Sequence, residues 1–292
     1  SAGAGIASTV KTYAEFEAAM SQVKAISGAT GEEFTQLTEK AKQMGATTKF
    51  TAAQSAEAFN YMAMAGWKAS DMMSGIEGIM NLAAASGEDL GTTSDIVTDA
   101  LTAFNLKASD STHFADVLAQ ASANANTNVS KMGQTFQYVA PVAGAMGYSI
   151  EDTALAIGLM ANAGIKGEKA GTALRSIFTR LSDPPSDAAE AIEKLGLSIT
   201  NTDGSMRPLN DVMKDLRKSF AGLTQEQKVQ MASQLAGQEA MSGLLALVNA
   251  SEEDYNKLAE AIGNADGASK KMADTMLDNL SGKWTLFKSA LD

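Results

Sequence analysis

Apolar residues recur along this chain at the three- and four-residue spacing of amphipathic helices. One such face carries Leu209, Val212, Met213, Leu216 and Phe220; others carry Ala188, Ala191, Ile192 and Leu195, or Tyr255, Leu258, Ala259 and Ile262. The 25 glycines among 292 residues fall about once in 12 positions, which matches the length of a typical helix and its end. The pattern predicts an all-α fold, a multi-helix array of about a dozen short packed helices and helical hairpins.

Helix starts are marked by a hydroxyl residue followed, three positions later, by a side chain that can complete a capping box. The six candidates are Thr30/Glu33, Thr51/Gln54, Thr92/Asp95, Ser149/Asp152, Thr224/Gln227 and Ser251/Asp254. The box favours Glu or Gln at the later position, so the three pairs that end in Asp are weaker signals.

One segment departs from the helical pattern. Residues 197–206 (LSITNTDGSM) alternate and then turn, which predicts at most one small β-hairpin. Pro184 and Pro185 mark the clearest boundary in the chain. We therefore predict a helical-hairpin core domain over residues 1–183 and a second helical subdomain over residues 184–292.

A corner between helices recurs in the first part of the chain. The three copies begin at Gly66, Asn105 and Gly147, at spacings of 39 and 42 residues. Each has Gly or Asn for a left-handed helix end, a large apolar residue, a small cap and an acid in the next helix's first turn. Both an internal duplication into stacked hairpins and convergent helix-end chemistry would produce this pattern.

Composition narrows the possible partners. The net charge of −11 disfavours nucleic acid and anionic membranes, and no Lys/Arg cluster offsets it. The absence of cysteine excludes disulfides and thiol chemistry. No apolar run reaches the ~18 residues of a membrane helix, and the longest uncharged window, residues 132–150, reads as a buried helix with a break.

The stretch AGIKGEKAGTALR, residues 163–175, raises the question of a phosphate loop. A Walker A loop needs a strand before its glycines and a lysine just before its hydroxyl residue. Here Gly171 runs directly into Thr172, and residues 153–165 have a helical pattern. We interpret the stretch as a helix–turn–helix corner with Gly164 and Gly167 in the turn, and we expect no cofactor there.

No catalytic or metal-binding set stands out. His113 is the single histidine, in the first turn of a helix, and no cysteine is present to help it bind a metal. Acidic residues are numerous, but no pair is singled out for glycosidase chemistry. We expect no catalytic, cofactor or metal site and interpret the chain as a non-enzyme.

The order of several motifs resembles the conserved core of phage tail tape measure proteins, over about residues 13–250. The motifs are FEAAMSQVKAISGAT (16–30), LTEKAKQMGATTKFTAAQSAEAF (37–59), MAGWKASDM (64–72), NLAAASGEDL (81–90), YVAPVAGAMGYSIEDTA (138–154), NAGIKGEKAGTALRSIFTRL (162–181) and KLGLSITNTDGSMRPLNDVM (194–213). In that family the glycine-rich stretch is a helix corner, so the resemblance implies no nucleotide.

The resemblance implies a structural role in tail assembly. Such proteins lie in the lumen of the tail tube, set its length during assembly in the host cytoplasm, and leave with the DNA at infection. The implied partners are further copies of the chain, the tube protein, the initiator or baseplate and assembly chaperones. A length-setting ruler needs long helices with sustained heptads, which this chain lacks. We therefore interpret the chain as a globular module of such a protein.

The last residues form a different pattern. Met272, Met276, Leu280, Trp284, Phe287 and Leu291 lie near one helical face. We expect this helix to continue in a longer protein, although Gly282 weakens it.

Seven residues are candidates for partner contact or for structural corners: Trp67, Tyr148, Gly164, Gly167, Gly171, Arg175 and Arg180. The two aromatic residues could anchor a partner or staple successive hairpins, and the second role is favoured. The arginines could pair with acids at a helix end or contact a partner, and pairing is favoured. Two alternatives to an assembly role stay open, namely a membrane-active delivery module with transient membrane contact and a wall hydrolase.

Overall fold

The structure is a computed structural model that describes residues 2–278 and 280–291. Sixteen α-helices and no strand are found among these residues, which confirms the predicted all-α class. The helices are α1 (Ala2–Ser27), α2 (Gly31–Thr47), α3 (Ala52–Met64), α4 (Ala69–Ser86), α5 (Leu90–Ala103), α6 (Ser111–Ala123), α7 (Val129–Ala145), α8 (Ile150–Asn162), α9 (Gly167–Ser182), α10 (Ser186–Leu195), α11 (Leu209–Ala221), α12 (Gln225–Ala236), α13 (Met241–Asn249), α14 (Glu252–Gly263), α15 (Ala268–Leu277) and α16 (Leu280–Leu291).

Most of the predicted caps are present. Thr30, Thr51 and Thr224 form complete capping boxes, and Ser149 and Ser251 accept a hydrogen bond from the third backbone N–H of their helices. The prediction of a cap at Thr92 was wrong. Helix α5 begins at Leu90, and the side chain of Asp89 accepts hydrogen bonds from the Thr92 N–H and hydroxyl.

At each recurring corner the helix ends in a backbone hydrogen bond that encloses six residues. At Gly66, Asn105 and Gly147 the backbone has a positive φ. The N–H of the following residue donates to the carbonyl five positions earlier, as in Trp67 to Met62 at 3.1 Å. Gly164 forms a fourth such corner, with a bond from Ile165 to Met160 at 3.0 Å.

The predicted small cap is found in only one of the three predicted corners. Ser149 caps α8, whereas Lys68 occupies the cap position of α4 and Lys107 that of the 3-10 turn before α6. In those two corners the acid of the first turn does the capping. Asp71 accepts from the Lys68 N–H at 3.0 Å, and Asp110 accepts from the Lys107 N–H at 2.9 Å.

The predicted hairpin is reduced to a single antiparallel bridge between Thr200 and Met206. The Asn201 N–H donates to the Ser205 carbonyl, and the Asp203 side chain accepts from the Ser205 N–H and hydroxyl. The turn is therefore present, but its flanks are too short to form strands.

The chain divides into two compact units. Unit 1 comprises residues 1–102, 106–119 and 266–292. Within it α1 packs on α3, α2 on α3 and α4, α15 on α4, and α16 on α2. Its fully buried side chains include Phe59, Met62, Ile76, Ile79 and Phe114.

Unit 2 comprises residues 103–105 and 120–265. In it α7 packs on α9, α12 on α10 and α13, α14 on α8, and α11 on α13. Phe136, Phe178 and Phe220 lie in its core. Pro184 and Pro185 connect two helices of this unit, so its borders do not coincide with the division predicted there. The division of the chain into two consecutive domains, residues 1–183 and 184–292, remains a prediction.

Candidate contact site around α9

Six of the seven candidate residues lie on α9 or on elements that adjoin it, all in unit 2. The stretch at residues 163–175 ends α8 and begins α9, which confirms the helix–turn–helix interpretation. Gly164 and Gly167 have φ values of 86° and 60°. The Thr135 hydroxyl of α7 donates a 2.8 Å hydrogen bond to the Gly167 carbonyl, which fixes the start of α9 against α7.

Helix α9 then crosses α7 closely at Gly171. A Cβ atom at this position would lie 2.5 Å from the Tyr138 Cβ and 3.1 Å from the Thr135 carbonyl oxygen. Tyr138 also hydrogen-bonds Glu168 in the first turn of α9, and this bond raises the pKa of the phenol. The third glycine of the stretch thus serves helix packing.

An open groove runs beside this crossing. It is lined by Gln137, Tyr138, Pro141 and Val142 of α7 and by Arg175 of α9. Pro141 lies inside α7 and has no N–H to donate, so the Gln137 carbonyl receives no helical bond from it. Arg175 is exposed, and its guanidinium can donate hydrogen bonds in the groove beside this part of α7.

Arg180, one turn further along α9, is occupied by contacts within unit 2. Its Nε donates to the Leu235 carbonyl at 3.2 Å, and its Nη2 donates to the Gln234 carbonyl at 2.8 Å and to Asp187 Oδ2 at 2.7 Å. Arg180 therefore caps the C-terminal end of α12 and pairs with an acid in the first turn of α10. This is the helix-end arrangement that we favoured from the sequence.

A second groove, of about 570 Å³, lies on the other side of α9 against the start of α13. Ala173, Ala240 and Gly243 are buried there, and Glu168, Lys169, Thr172, Ser176, Glu239 and Ser242 supply polar groups. Its lining carries both signs of charge.

The two aromatic candidates both pack inside their own unit. Tyr148 is 4% exposed, and its ring meets Phe178 of α9 edge to face with centroids 5.1 Å apart. Burial raises the pKa of Tyr148 to about 12, and its hydroxyl has no hydrogen-bond partner among the described residues. Trp67 lies in unit 1, where its ring fills the space above Gly75 of α4, next to Ser111. The role of these two residues as staples between successive hairpins remains a prediction.

His113 lies in the first turn of α6, as predicted, and its Nδ1 is 3.3 Å from Asp266 Oδ1. Within residues 2–278 and 280–291 there is no group of three or more His, Asp or Glu side chains arranged to hold a metal ion. Among the same residues, no helix is long and apolar enough to cross a membrane.

The sequence analysis missed a partly buried polar cluster in unit 2. Asp152 of α8 accepts a hydrogen bond from the Asn210 N–H of α11 at 3.0 Å, and Asn210 also accepts from the Tyr255 hydroxyl of α14. The Arg217 guanidinium lies 4.7 Å from the centre of the Tyr255 ring. Burial raises the pKa of Asp152, as does the charge of Glu151, while the Asn210 N–H opposes the shift. The two hydrogen-bonded pairs of this cluster join residues 45 and 58 positions apart, so no local pattern indicated them.

Comparison with known proteins adds an independent finding. Residues 38–237 match the family described as "phage-related minor tail protein". The chain is 42% identical over 277 residues to the tape measure protein of Pneumococcus phage Dp-1, covering 95% of this chain and 24% of that protein. It is 29% identical to the probable tape measure protein of Escherichia phage P2, covering 95% of this chain and 35% of that protein. No solved structure gives a significant match.

Proposed function

This chain belongs to the family of phage-related minor tail proteins, and from that membership we propose that it is the structural assembly module of a tail tape measure protein. The observation that carries the proposal is the similarity to tape measure proteins along nearly its whole length. The chain spans only 24% to 35% of the lengths of these relatives. It therefore corresponds to one part of such a protein.

The architecture supports an assembly role in preference to a ruler role. A ruler gains about 1.5 Å of length per residue only while its helix is extended. Here the helices are short and fold back on each other into two compact units. Tail length is then set by other parts of the full protein, and this module supplies a folded body with surfaces for contact.

The partners that fit this role are further copies of the chain, the tube protein, the initiator or baseplate and assembly chaperones. The module lies in the lumen of the virion tail, after assembly in the host cytoplasm. It turns over no substrate, in keeping with the mixed polar lining of the grooves beside α9. Those grooves, with Arg175 at one and Lys169 at the other, are its contact surfaces.

The proposal can be tested in phage Dp-1, whose tape measure protein has a corresponding region. In one phage that region is deleted in frame, and in a second it is replaced by this chain. We expect the deletion to abolish tail formation and the replacement to restore tails of parental length, both measured by electron microscopy. Normal tails after deletion would contradict an assembly role. Tails shortened by about 1.5 Å per deleted residue would indicate a ruler instead.

Two further measurements address the other functions considered. Dye-loaded vesicles of phosphatidylethanolamine and phosphatidylglycerol should retain their dye in the presence of the protein at pH 5 and pH 7. A peptidoglycan suspension should keep its turbidity. Dye release would favour a membrane-delivery role, and clearing of the suspension would favour wall hydrolysis.

A further inference from the structure

The last two helices return to unit 1 after the chain has passed through unit 2. Residues 120–265 belong to unit 2, and residues from 266 onward belong to unit 1 again. There α15 packs on α4 and α16 packs on α2. We name residues 266–291 the strap, because they join unit 1 from the far side of unit 2 in chain order.

The start of the strap is held by one buried carboxylate. Asp116 of α6 is only 3% exposed. Its Oδ2 accepts from the Gly267 N–H at 2.9 Å, and its Oδ1 accepts from the Ser269 N–H at 2.9 Å and from the Ser269 hydroxyl at 2.6 Å. Gly267, at the cap position of α15, has no side chain to cap the helix. Asp116 therefore supplies the cap from 153 positions away.

Little apolar surface holds the rest of the strap. Of its described side chains, only the small residues Ser269, Ala273 and Ser289 are buried. Four of its large apolar side chains, Met276, Trp284, Phe287 and Leu291, are 48%, 67%, 56% and 70% exposed, and Met272, Leu277 and Leu286 are half-buried. The side chain of Leu280, part of the same predicted stripe, lies outside the described residues. Apolar burial is the main stabilising term in packing, so the strap depends heavily on its polar contacts.

We propose that the strap is a releasable device, which lifts from α4 and α2 as one segment while the remainder of unit 1 stays folded, and that Asp116 controls its release. Segments with few buried apolar contacts open at a lower free energy than the core they cover. Release uncovers the side of α4 that α15 covers.

The lack of cysteine in this chain allows a direct test. Ala273→Cys places a unique thiol on the buried face of α15, and Ala56→Cys places one in the core of α3, where the native side chain is 0% exposed. The rate at which a thiol reagent labels each variant reports how often that site opens. We expect Ala273→Cys to react faster than Ala56→Cys under native conditions.

The role of Asp116 is tested by adding Asp116→Asn to both reporters. This change keeps the shape but removes the charge and turns an amide nitrogen toward one of the N–H donors. Labelling at position 273 should accelerate about tenfold or more, with little change at position 56. The matched control is Asp266→Asn at the same junction. The Asp266 side chain is 93% exposed, and its pair with His113 is at the surface, so labelling should hardly change.

Two results would overturn the proposal. Equal labelling rates at positions 273 and 56 would show that the strap opens only when the whole unit unfolds. Faster labelling at 273 that Asp116→Asn leaves unchanged would remove Asp116 from the control of release. If Asp116→Asn fails to fold, hydrogen exchange on the unsubstituted protein tests whether the strap opens while the rest of unit 1 stays folded. Amides of 270–277 must then exchange faster than those of α4.

Discussion

Gly171 of α9 and Tyr138 of α7 are in direct contact where the two helices cross, with no room for a side chain at position 171. An added methyl group there would lie 2.5 Å from the Tyr138 Cβ. The glycines of the AGIKGEKAG stretch thus have two separate purposes. Gly164 and Gly167 take the positive φ values of the turn, while Gly171 permits the close approach of two helices.

We predict that Gly171→Ala destabilises the protein by about 1–3 kcal/mol, because the backbones must separate to admit the methyl group. Urea unfolding followed by circular dichroism measures the change. Gly222→Ala is the matched control, since the nearest atom to its new Cβ is 4.0 Å away and its φ is −85°. That variant should be neutral or slightly stabilised. Equal losses in both variants would disprove the packing argument.

Arg180 supports a second prediction, because three acceptors depend on it. Arg180→Ala should cost about 2–4 kcal/mol, since it removes charge-assisted bonds to two carbonyls at the end of α12 and to Asp187. The exposed Arg175, five residues earlier on α9, is the control, and Arg175→Ala should change stability by no more than about 0.5 kcal/mol. If the two variants unfold at the same urea concentration, the capping role is wrong.

The helix ends were the part of the fold that the sequence indicated best, because a cap is a contact between residues three or four positions apart. Thr30, Thr51 and Thr224 behave as their spacing predicts. The error at Thr92 has a local cause as well. Asp89 and Thr92 are both good cap residues before an apolar stretch, and the spacing rule alone does not choose between them.

This error leads to a third prediction. Asp89→Ala should destabilise the protein by about 1 kcal/mol, because it removes the acceptor for the Thr92 N–H at the start of α5. Thr92→Val keeps that N–H and loses only the hydroxyl bond, so it should cost less. Thermal unfolding of the two variants gives the order of the losses. The opposite order would restore Thr92 as the cap.

Contacts between distant segments were beyond the reach of sequence patterns. Arg180 was identified as a helix-end residue, but two of its three acceptors lie 54 and 55 positions away. Asp116 attracted no notice, because an acid within a helix ordinarily faces water. It is buried here because the chain returns to it 153 residues later. Such pairings follow from how helices stack, which depends on side-chain shapes throughout the core.

The buried Tyr148 hydroxyl supports a fourth prediction. It lies in the core without a hydrogen-bond partner, which costs free energy in the folded state. Tyr148→Phe keeps the edge-to-face contact with Phe178 and should be neutral or more stable by up to about 1 kcal/mol in urea unfolding. Tyr148→Ala, which also removes the ring, should lose about 3–5 kcal/mol. A clear loss in Tyr148→Phe would show that the hydroxyl does have a stabilising partner.

The fifth prediction concerns pH and rests on Asp152, whose pKa is raised by burial. In the unfolded chain an aspartate ionises near pH 3.9, so above about that pH the unfolded state releases this proton more readily than the folded state does. The contribution of Asp152 to the free energy of unfolding is therefore greatest at low pH and falls as pH rises through its folded pKa. Asp152→Asn removes this titration, so the stability of the native protein relative to the variant should decline from pH 4 to pH 7 in urea unfolding.

Asp203 provides a control of opposite sign, because hydrogen bonds from Ser205 lower the pKa of its carboxyl group. Relative to Asp203→Asn, the native protein should lose stability only as pH falls below about 4, the usual range of an aspartate, and should change little between pH 5 and pH 7. An equal decline from pH 5 to pH 7 in both pairs would contradict the assignment of Asp152 as a group whose pKa is raised by burial.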